Sequence, residues 1–438
     1  VLRLSASLAA VGAASARAQA PLPYGLRPGE PYNGTTLNVL AVVTPQFDGL
    51  MLRTPEFTAM TGITVKWDFV PFTALQEKVA SVGVAADGGY DLVNYLDSWG
   101  PPNAHWLVQL DALLARDGIS MDRYPTAFAK AASFQGHVLG MPLRSHAQLF
   151  FYRRDVLADV GFSEGPKTWD EVIAVGKAIR ARRQDIEPLV LNLHNDGNRQ
   201  NLFLWLNFLW GAGAQVFDER MRPAWTSEAG LKATEDYIAL HTKEKITNPA
   251  SISYVEQDAR ISFQQGKSAM IPVWWWAYSP MIDPKQSVLN ADQVAFTGMP
   301  SYQGRTVTFA ISMPFSISKY SRRQDAAWEF LKWLSNPDLD RRNAIEREVA
   351  GQAIVNNVVN HKTSLVDPEV NRANANIQQA AAASLANSDI MPQIAEWPEV
   401  GDLLSNAITR AAAGGNVRQL MTDAATRSAT VLRRAGYN

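Results

Sequence analysis

The sequence predicts an α/β fold that contains a doubly wound parallel sheet and is divided into two or more domains. With 438 residues, the chain is too long for a single compact core. A hydrophobic share of 47% with 19% charged residues indicates a folded chain rather than a disordered one. Near the start of the chain, strand and helix patterns alternate with short loops between them, which is typical of a doubly wound sheet.

The alternation begins with a nearly continuous apolar run at 37–43, which predicts a strand buried on both faces. Thr44 and Pro45 end this strand, and a helix is expected over 48–60. Apolar residues alternate over 63–69, which predicts a second strand. Those over 75–82 have helical spacing, and 91–94 is expected to form a third strand. Because ligands meet such sheets at the carboxyl ends of strands, two candidate regions are 44–46 and 95–99.

An extended stretch follows that is punctuated by glycine and proline. Gly136 and Gly140 bracket a short extended segment, and Pro142 stiffens its end. A buried strand and a helix come next, and Thr168 and Glu171 have the spacing of a capping box at the start of that helix. Such a stretch suits a hinge between two lobes and equally a crossover inside one sheet.

The second half of the chain continues to alternate strands and helices. A buried strand leads into three consecutive tryptophans at 274–276. A second extended crossing is expected over 299–306, where Pro300 and Gly304 interrupt the pattern. A strand over 309–318 and a helix return to the first unit, and a third crossing is expected over 349–354.

Four segments in a fixed order carry a family resemblance. They are the stretch 134–171, Gly266–Met270 before the aromatic cluster, the helix 326–334 before Asn336-Pro337, and 390–394 before Trp397. Together they resemble the extracellular solute-binding proteins of carbohydrate ABC importers. The resemblance implies the type II periplasmic-binding-protein fold, in which two doubly wound α/β lobes joined by several crossings close on a ligand. It implies a first lobe of residues 36–143 and 300–350, and a second lobe of residues 144–299 and 351–438.

The resemblance also implies a function. The protein would capture a sugar, oligosaccharide or polyol and deliver it to a membrane permease, as a monomer and without a cofactor. A receptor for sugars needs aromatic platforms for their apolar faces and polar side chains for their hydroxyls. The resemblance places a stacking aromatic at Trp276, beside Trp274 and Trp275, and a rim aromatic at Trp397. Because consecutive residues of an extended chain face opposite ways, one or two of the triplet are expected in the cleft, although Trp276 could instead belong to the core.

Polar candidates complete the predicted ligand site. Tyr95 and Asp97 follow the third strand, where the family has ligand contacts, and a carboxylate there accepts two hydroxyls unless it serves as a helix cap. His146 replaces an acidic residue of the family, so a different hydroxyl pattern is expected. Arg144 either clamps an acidic sugar or braces the hinge. Thr44 and Gln46 follow the first strand and could also be ordinary loop residues.

The first 20 residues predict a signal peptide. Arg3 precedes an apolar run that ends at Ala18-Gln19-Ala20, a small-x-small cleavage pattern. The sequence has no cysteine, so neither a disulfide nor a lipid anchor on an N-terminal cysteine is expected. An exported protein without an anchor needs an enclosed space to stay near a membrane partner, which favours the periplasm.

Several other functions are disfavoured. The formal net charge of −1 provides no basic stripe for nucleic acid. Gly266-Lys267-Ser268 lacks the upstream glycine of a phosphate-binding loop, because position 261 is isoleucine. The six histidines are scattered, which argues against a metal site. Two alternatives remain: a secreted glycoside hydrolase with a carboxylate pair, and a receptor that presents its ligand to a chemosensor.

Overall fold

The structure is a computed structural model that describes residues 22–437. The predicted signal peptide lies outside the described residues. Within them, the strands are β1 (Thr36–Val42), β2 (Thr64–Val70), β3 (Leu92–Asn94), β4 (Ser133–Phe134), β5 (His137–Val138), β6 (His146–Arg153), β7 (Glu187–Leu189), β8 (Ser268–Trp274), β9 (Val294–Thr297), β10 (Thr308–Ile311), β11 (Phe315–Ile317), β12 (Glu348–Val349), β13 (Gln352–Ala353) and β14 (Ser388–Asp389).

Nineteen α-helices lie among residues 22–437. They are α1 (Pro45–Leu52), α2 (Thr54–Thr61), α3 (Phe72–Ala85), α4 (Gly100–Asn103), α5 (Asp111–Arg116), α6 (Thr126–Ala131), α7 (Arg154–Asp159), α8 (Trp169–Arg182), α9 (Leu202–Gly211), α10 (Glu228–Thr242), α11 (Glu256–Gln264), α12 (Tyr278–Ile282), α13 (Gln324–Leu334), α14 (Pro337–Ile345), α15 (Lys362–Val366), α16 (Pro368–Ala373), α17 (Ile377–Leu385), α18 (Trp397–Ala412) and α19 (Val417–Arg434). No helix among residues 22–437 is both long and apolar enough to cross a bilayer.

A four-stranded sheet organises the first part of the chain, in the order β11-β3-β1-β2. β1 pairs in parallel with both β2 and β3, as the alternation of strands and helices predicts. Leu37, Val39 and Leu40 of β1 are fully buried, so the strand lies at the centre of the core. The helix predicted over 48–60 is divided into α1 and α2, because Pro55 cannot donate the backbone hydrogen bond that a continuous helix needs.

A second sheet of six strands organises the rest, in the order β14-β10-β6-β8-β7, with β9 also paired to β6. This sheet is mixed, since β6 runs antiparallel to β8 whereas β7 runs parallel to it. Half of the capping box predicted at the start of α8 forms: Glu171 N donates to Thr168 Oγ1 over 3.1 Å. The Glu171 carboxylate accepts from Lys167 N over 2.6 Å rather than from Thr168 N.

The expected second crossing over 299–306 is wrong. Residues 302–305 form a tight turn in which Gln303 and Gly304 both have positive φ. The single strand expected over 309–318 is instead two strands in different sheets. β10 pairs with β6 of the second sheet, and β11 pairs with β3 of the first, so the chain crosses at 312–314. Residues 308–311 of the predicted first lobe therefore pair within the second sheet.

Two other segments pass between the sheets, one between Met141 and His146 and one after β13, and both contact residues near the crossing at 312–314. Met141 still bridges to Phe315 of the first sheet, and His146 begins β6, so the first crossing falls between them. Residues 348–353, where a third crossing is expected, form a hairpin instead. The extended segment after the hairpin contacts both units, since Asn357 Nδ2 donates to Trp275 O over 3.3 Å and Asn360 N donates to Asp340 over 3.0 Å.

Buried polar groups join the three connections. Ser145 Oγ and Ser312 Oγ lie 2.7 Å apart, and Ser145 N donates to Asn360 Oδ1 over 3.0 Å. Asp97 N donates to Ser312 O over 3.0 Å, which ties the end of β3 to the same cluster. Backbone groups that leave a strand at a crossing need new partners, and these side chains provide them.

Candidate solute-binding site

A cavity of about 400 Å³ lies between the two sheets. The residues that line it come from the end of β1 and the start of α1, from the first crossing, from α11, from the segment after β8, and from the segment after β13. They are Val43, Thr44, Pro45, Gln46, Asp48, Arg144, Arg260, Trp276, Ser279, Pro280, Asp283, Gln286, Ala353, Val355 and Asn357. Both sheets thus contribute residues to one cavity, at the place where the chain passes between them.

Trp276 forms the aromatic wall of the cavity. The Arg144 guanidinium lies 5.9 Å from the centroid of its ring, and the Arg260 guanidinium lies 5.3 Å from it. Val43 and Val355 also line the cavity, and they are 60% and 52% exposed, respectively. Aliphatic surface left open beside an aromatic ring is available to be covered by the apolar faces of a ligand.

Arg144 connects the first crossing to the end of β1. Its Nε donates to Thr44 Oγ1 over 3.1 Å, and Nη1 approaches the Met313 sulfur at 2.7 Å. The backbone of Arg144 lies in the left-handed region, with φ of 48°. That conformation is costly for a residue with a Cβ, so the surrounding structure has to hold the backbone in place just before β6 begins.

The two arginines of the cavity differ in their electrostatic partners. Arg260 pairs with Glu256 at 3.2 Å and donates to Gln264 Oε1 over 3.1 Å. Arg144 has neutral partners, and burial lowers its pKa to about 10, so it remains charged at neutral pH. Burial also raises the pKa of Glu256, although its pairing with Arg260 opposes that shift.

Two carboxylates line the cavity as well. Partial burial raises the pKa of Asp48, which lies in the first turn of α1. Asp283 accepts hydrogen bonds from Lys285 N over 3.0 Å and from Gln286 Nε2 over 2.7 Å, and these donors lower its pKa. Carboxylate oxygens in such positions are suited to accept the hydroxyl groups of a ligand.

The structure brings together four of the ten residues that the sequence predicts as ligand contacts: Thr44, Gln46, Arg144 and Trp276 line the cavity. Thr44 Oγ1 and Gln46 Oε1 also contact each other at the end of β1. The other six residues do not line this cavity. Ligand binding itself stays a prediction for all ten.

Three of the six pack against one another behind Trp276. His146 is buried, with its ring 4.7 Å from Trp274 and 6.3 Å from Trp275. Burial, followed by the neighbouring Arg144, lowers the pKa of His146 well below its usual value, so the ring is neutral. Trp275 is fully buried and donates from Nε1 to Asn357 O over 3.2 Å. These side chains support the cavity wall rather than face the cavity.

The remaining three are also buried away from the cavity. Tyr95 accepts a hydrogen bond from Ser316 Oγ over 3.3 Å. Asp97 accepts from Ser98 N over 2.6 Å and from Ser312 N over 3.3 Å, and burial raises its pKa to about 7. Trp397 is expected at a rim but is fully buried at the start of α18, where its Nε1 lies 3.0 Å from the Met391 sulfur.

Sequence reasoning missed several lining residues. Ser279, Asp283 and Gln286 follow the tryptophan triplet, so their position after the carboxyl end of β8 was a usable signal. Arg260 gave no such signal, because α11 precedes β8 and only tertiary packing brings it over Trp276.

The sequence profile of the bacterial extracellular solute-binding protein family matches residues 41–340. The chain belongs to this family. The resemblance noted in the sequence is thereby confirmed, and the protein is a solute-binding protein.

Curated relatives are distant but extend over most of this solute-binding protein. A probable amino-acid ABC transporter periplasmic-binding protein of Sinorhizobium fredii is 21% identical over 84% of this chain and 81% of its own. The diacetylchitobiose-binding protein of Streptomyces coelicolor is 23% identical over 79% of this chain and 76% of its own. The two names differ in the class of ligand.

Solved structures show the same fold. A maltose-bound protein of T. maritima superposes with a TM-score of 0.78 at 22% identity, over 90% of this chain and 98% of that one. A ribitol complex of an ABC transporter solute-binding protein from Agrobacterium radiobacter gives a TM-score of 0.76 at 22% identity, over the same shares. The predicted type II fold with two α/β lobes is confirmed.

Proposed function

We propose that this protein is the periplasmic substrate-binding component of an ABC importer, and that it captures a carbohydrate or polyol. The observation that carries the proposal is the cavity itself. The Trp276 ring forms one wall, exposed aliphatic groups also line the cavity, and Asp48, Asp283 and Arg144 provide charged hydrogen-bonding groups. A volume of about 400 Å³ falls within the roughly 300–1,000 Å³ of small-molecule sites.

The names of relatives support this ligand class without deciding it. Neighbouring structures contain maltose, ribitol, D-mannitol and α-D-tagatose, which are sugars and polyols. The curated relative from Sinorhizobium fredii is named for amino acids instead. The aromatic wall favours the carbohydrate, because a flat indole matches the C–H face of a sugar ring better than it matches a short amino acid.

The mechanism that we propose has two states. In the open state the cleft is accessible, and contacts that a ligand makes with both lobes favour the closed state in proportion to the difference in affinity. The protein would act as a monomer, would release its ligand unchanged to the transmembrane subunits of a permease, and would be exported by the N-terminal signal peptide. The proposed lobes are those expected from the sequence, 36–143 with 300–350 and 144–299 with 351–438, except that residues 300–311 are moved to the second lobe because the chain crosses at 312–314.

The test is a thermal-shift screen of the purified protein over sugars and polyols, followed by calorimetry. A ligand at 100 times its dissociation constant should stabilise the protein by roughly 2.7 kcal/mol. Small-angle scattering should show a decrease in the radius of gyration with the same ligand. If amino acids stabilise the protein and no carbohydrate does, the proposed ligand class is wrong. If the protein releases sugar from any glycoside, it is an enzyme, and the binding-only function is wrong.

A further inference from the structure

The two arginines that line the cavity are not equivalent. Among the described residues, Arg260 has an ion-pair partner in Glu256, whereas Arg144 has no carboxylate within 4.0 Å. A guanidinium that is largely withdrawn from water loses hydration that neutral neighbours replace only in part. Among the described residues Arg144 therefore has no direct ion-pair partner, although the Glu256 carboxylate, which pairs with Arg260, acts on its charge from a longer distance.

Arg144 also has N–H donors that no described residue accepts. A guanidinium has five N–H groups. Nε donates to the oxygens of Thr44 and Gln46 at 3.1 and 3.4 Å, and Nη1 contacts the Met313 sulfur, a weak acceptor. No described residue accepts from Nη2, and the side chain lines the cavity. The planar fork of arginine matches the two oxygens of a carboxylate, which a lysine cannot match in the same way.

The other groups that line the cavity indicate what kind of ligand would carry that carboxylate. The ring of Trp276 lies beside the same guanidinium, at 5.9 Å, and provides a platform for an apolar ring face. Asp48 and Asp283 provide acceptors for hydroxyl groups, and each Asp283 oxygen already accepts one hydrogen bond, from Lys285 N or from Gln286 Nε2. A ligand that fits has an acidic group at one end and hydroxyls on a saturated ring or chain.

We propose that the ligand is an acidic carbohydrate, a sugar or polyol bearing a carboxylate, and that Arg144 binds the carboxylate. This inference rests on the proposed function and narrows it, since the sugars and polyols of the neighbouring structures are neutral compounds. An amino acid is the competing source of a carboxylate, because its ammonium group would pair with Asp48.

The experiment measures dissociation constants by calorimetry for matched pairs. Glucuronate is compared with glucose, galacturonate with galactose, and gluconate with glucitol, and glutamate and glycine represent amino acids. At least one acid should bind at least tenfold more tightly than its neutral partner, a difference of 1.4 kcal/mol. Arg144→Gln should remove this preference, and Arg144→Lys should restore it in part.

A double variant provides the matched control. Glu256→Gln with Arg260→Gln removes the neighbouring ion pair without changing the net charge of the site. It should weaken all ligands together but should leave the ratio between acid and neutral partner within threefold of the wild-type ratio. Because Arg144 also contacts Thr44 and Met313, each variant is first checked for a cooperative thermal transition; if Arg144→Gln does not fold, the wild-type ratio and Arg144→Lys decide.

The outcomes separate the inference from the proposed function. If neutral sugars bind as tightly as their acids, the inference is wrong and the proposed function stands. If acids are preferred but Arg144→Gln keeps the preference, Arg144 does not bind the carboxylate and the inference is wrong. If only amino acids bind, or if no carbohydrate binds at all, both the inference and the proposed carbohydrate function are wrong.

Discussion

The hydroxyl oxygens of Ser145 and Ser312 lie 2.7 Å apart, and both side chains are fully buried. Ser145 belongs to the first crossing between the sheets and Ser312 to the second. This hydrogen bond joins two connections that are far apart in the sequence, next to the backbone bond that Met313 N donates to Leu143 O over 3.2 Å. A rotation of one lobe relative to the other has to preserve this bond or break it.

Ser312→Ala should destabilise the protein by about 1–3 kcal/mol, because it leaves the buried Ser145 hydroxyl without this partner. The double variant Ser145→Ala with Ser312→Ala should cost less than the sum of the two single variants, since the second change removes the stranded group. Chemical denaturation of the four proteins measures the coupling. Strict additivity would mean that the two hydroxyls do not interact in solution.

Trp276→Ala should weaken ligand binding at least tenfold, about 1.4 kcal/mol or more, because the ring forms the aromatic wall of the cavity. Its effect on the melting temperature should be small, since the side chain is only partly buried. Trp397→Ala is the contrasting variant: that side chain is fully buried, and its loss should cost about 3–5 kcal/mol of stability. An unchanged affinity in Trp276→Ala would exclude the ring from the site.

Asp97 should make stability depend on pH. Burial raises the pKa of Asp97 to about 7, above the value of about 3.9 expected in the unfolded chain. Folding therefore favours the protonated form, and this contribution is fully present below pH of about 4 and is lost as the pH rises through about 7. Relative to the wild type, Asp97→Asn should gain stability over that range, by an amount on the order of 4 kcal/mol.

The measurement is the free energy of unfolding of both proteins between pH 4 and pH 8, taken as a difference so that other groups cancel. Asp155 provides a control of opposite sign, because its partner Arg153 helps to lower the pKa of its carboxyl. Asp155→Asn should be the less stable protein at neutral pH, and its deficit should vanish as the pH falls. A difference for Asp97→Asn that does not change with pH would mean that Asp97 titrates normally.

Gln76 of α3 and Arg199, which precedes α9, form a contact between the two lobes. Arg199 Nη2 donates to Gln76 Oε1 over 3.4 Å, while Nη1 pairs with Asp402 at 3.0 Å. Gln76→Ala should weaken ligand affinity about two- to tenfold without removing a ligand contact, because closure becomes less favourable by roughly 0.5–1.5 kcal/mol. Gln76→Glu should have the opposite effect, since it converts the contact into an ion pair.

Calorimetry provides the affinities, and small-angle scattering without ligand reports the balance of open and closed forms. Gln76→Ala should have the larger radius of gyration and Gln76→Glu the smaller. Equal affinities in the two variants would show that this contact does not contribute to closure.

Much of the first sheet could be predicted from the sequence, because strand and helix periodicities are local. β1, β2 and β3 follow from apolar runs of a few residues, and their parallel pairing follows from the helices between them. The division of 308–317 into β10 and β11 could not be predicted in this way. Both strands are wholly buried and only three residues separate them. Ser312 and Pro314 interrupt the apolar pattern there, but a proline is also tolerated in an edge strand or at a bulge, so it does not show that the chain changes sheets.

The candidate site was predictable where it follows strand ends, as at Thr44 and Gln46, and where three tryptophans occur together. Composition cannot separate a cavity tryptophan from a core tryptophan, because both have the same side chain in an apolar surrounding. Trp276 and Trp397 are therefore distinguished only by burial. Arg260 is brought to the cavity by the packing of α11, on which local sequence carries no information.

The pairing of β3 with β11 affects how the chain folds during its synthesis. Asn94 donates to the Met313 carbonyl, a residue that is synthesised 219 positions later. Until then β3 has an unsatisfied edge, and the amino-terminal sheet cannot be completed. A nascent chain would thus remain incompletely folded until almost three quarters of it has emerged. Slow, non-local closure of this kind leaves time for an unfolded precursor to be handed to a secretion machinery before it can become compact.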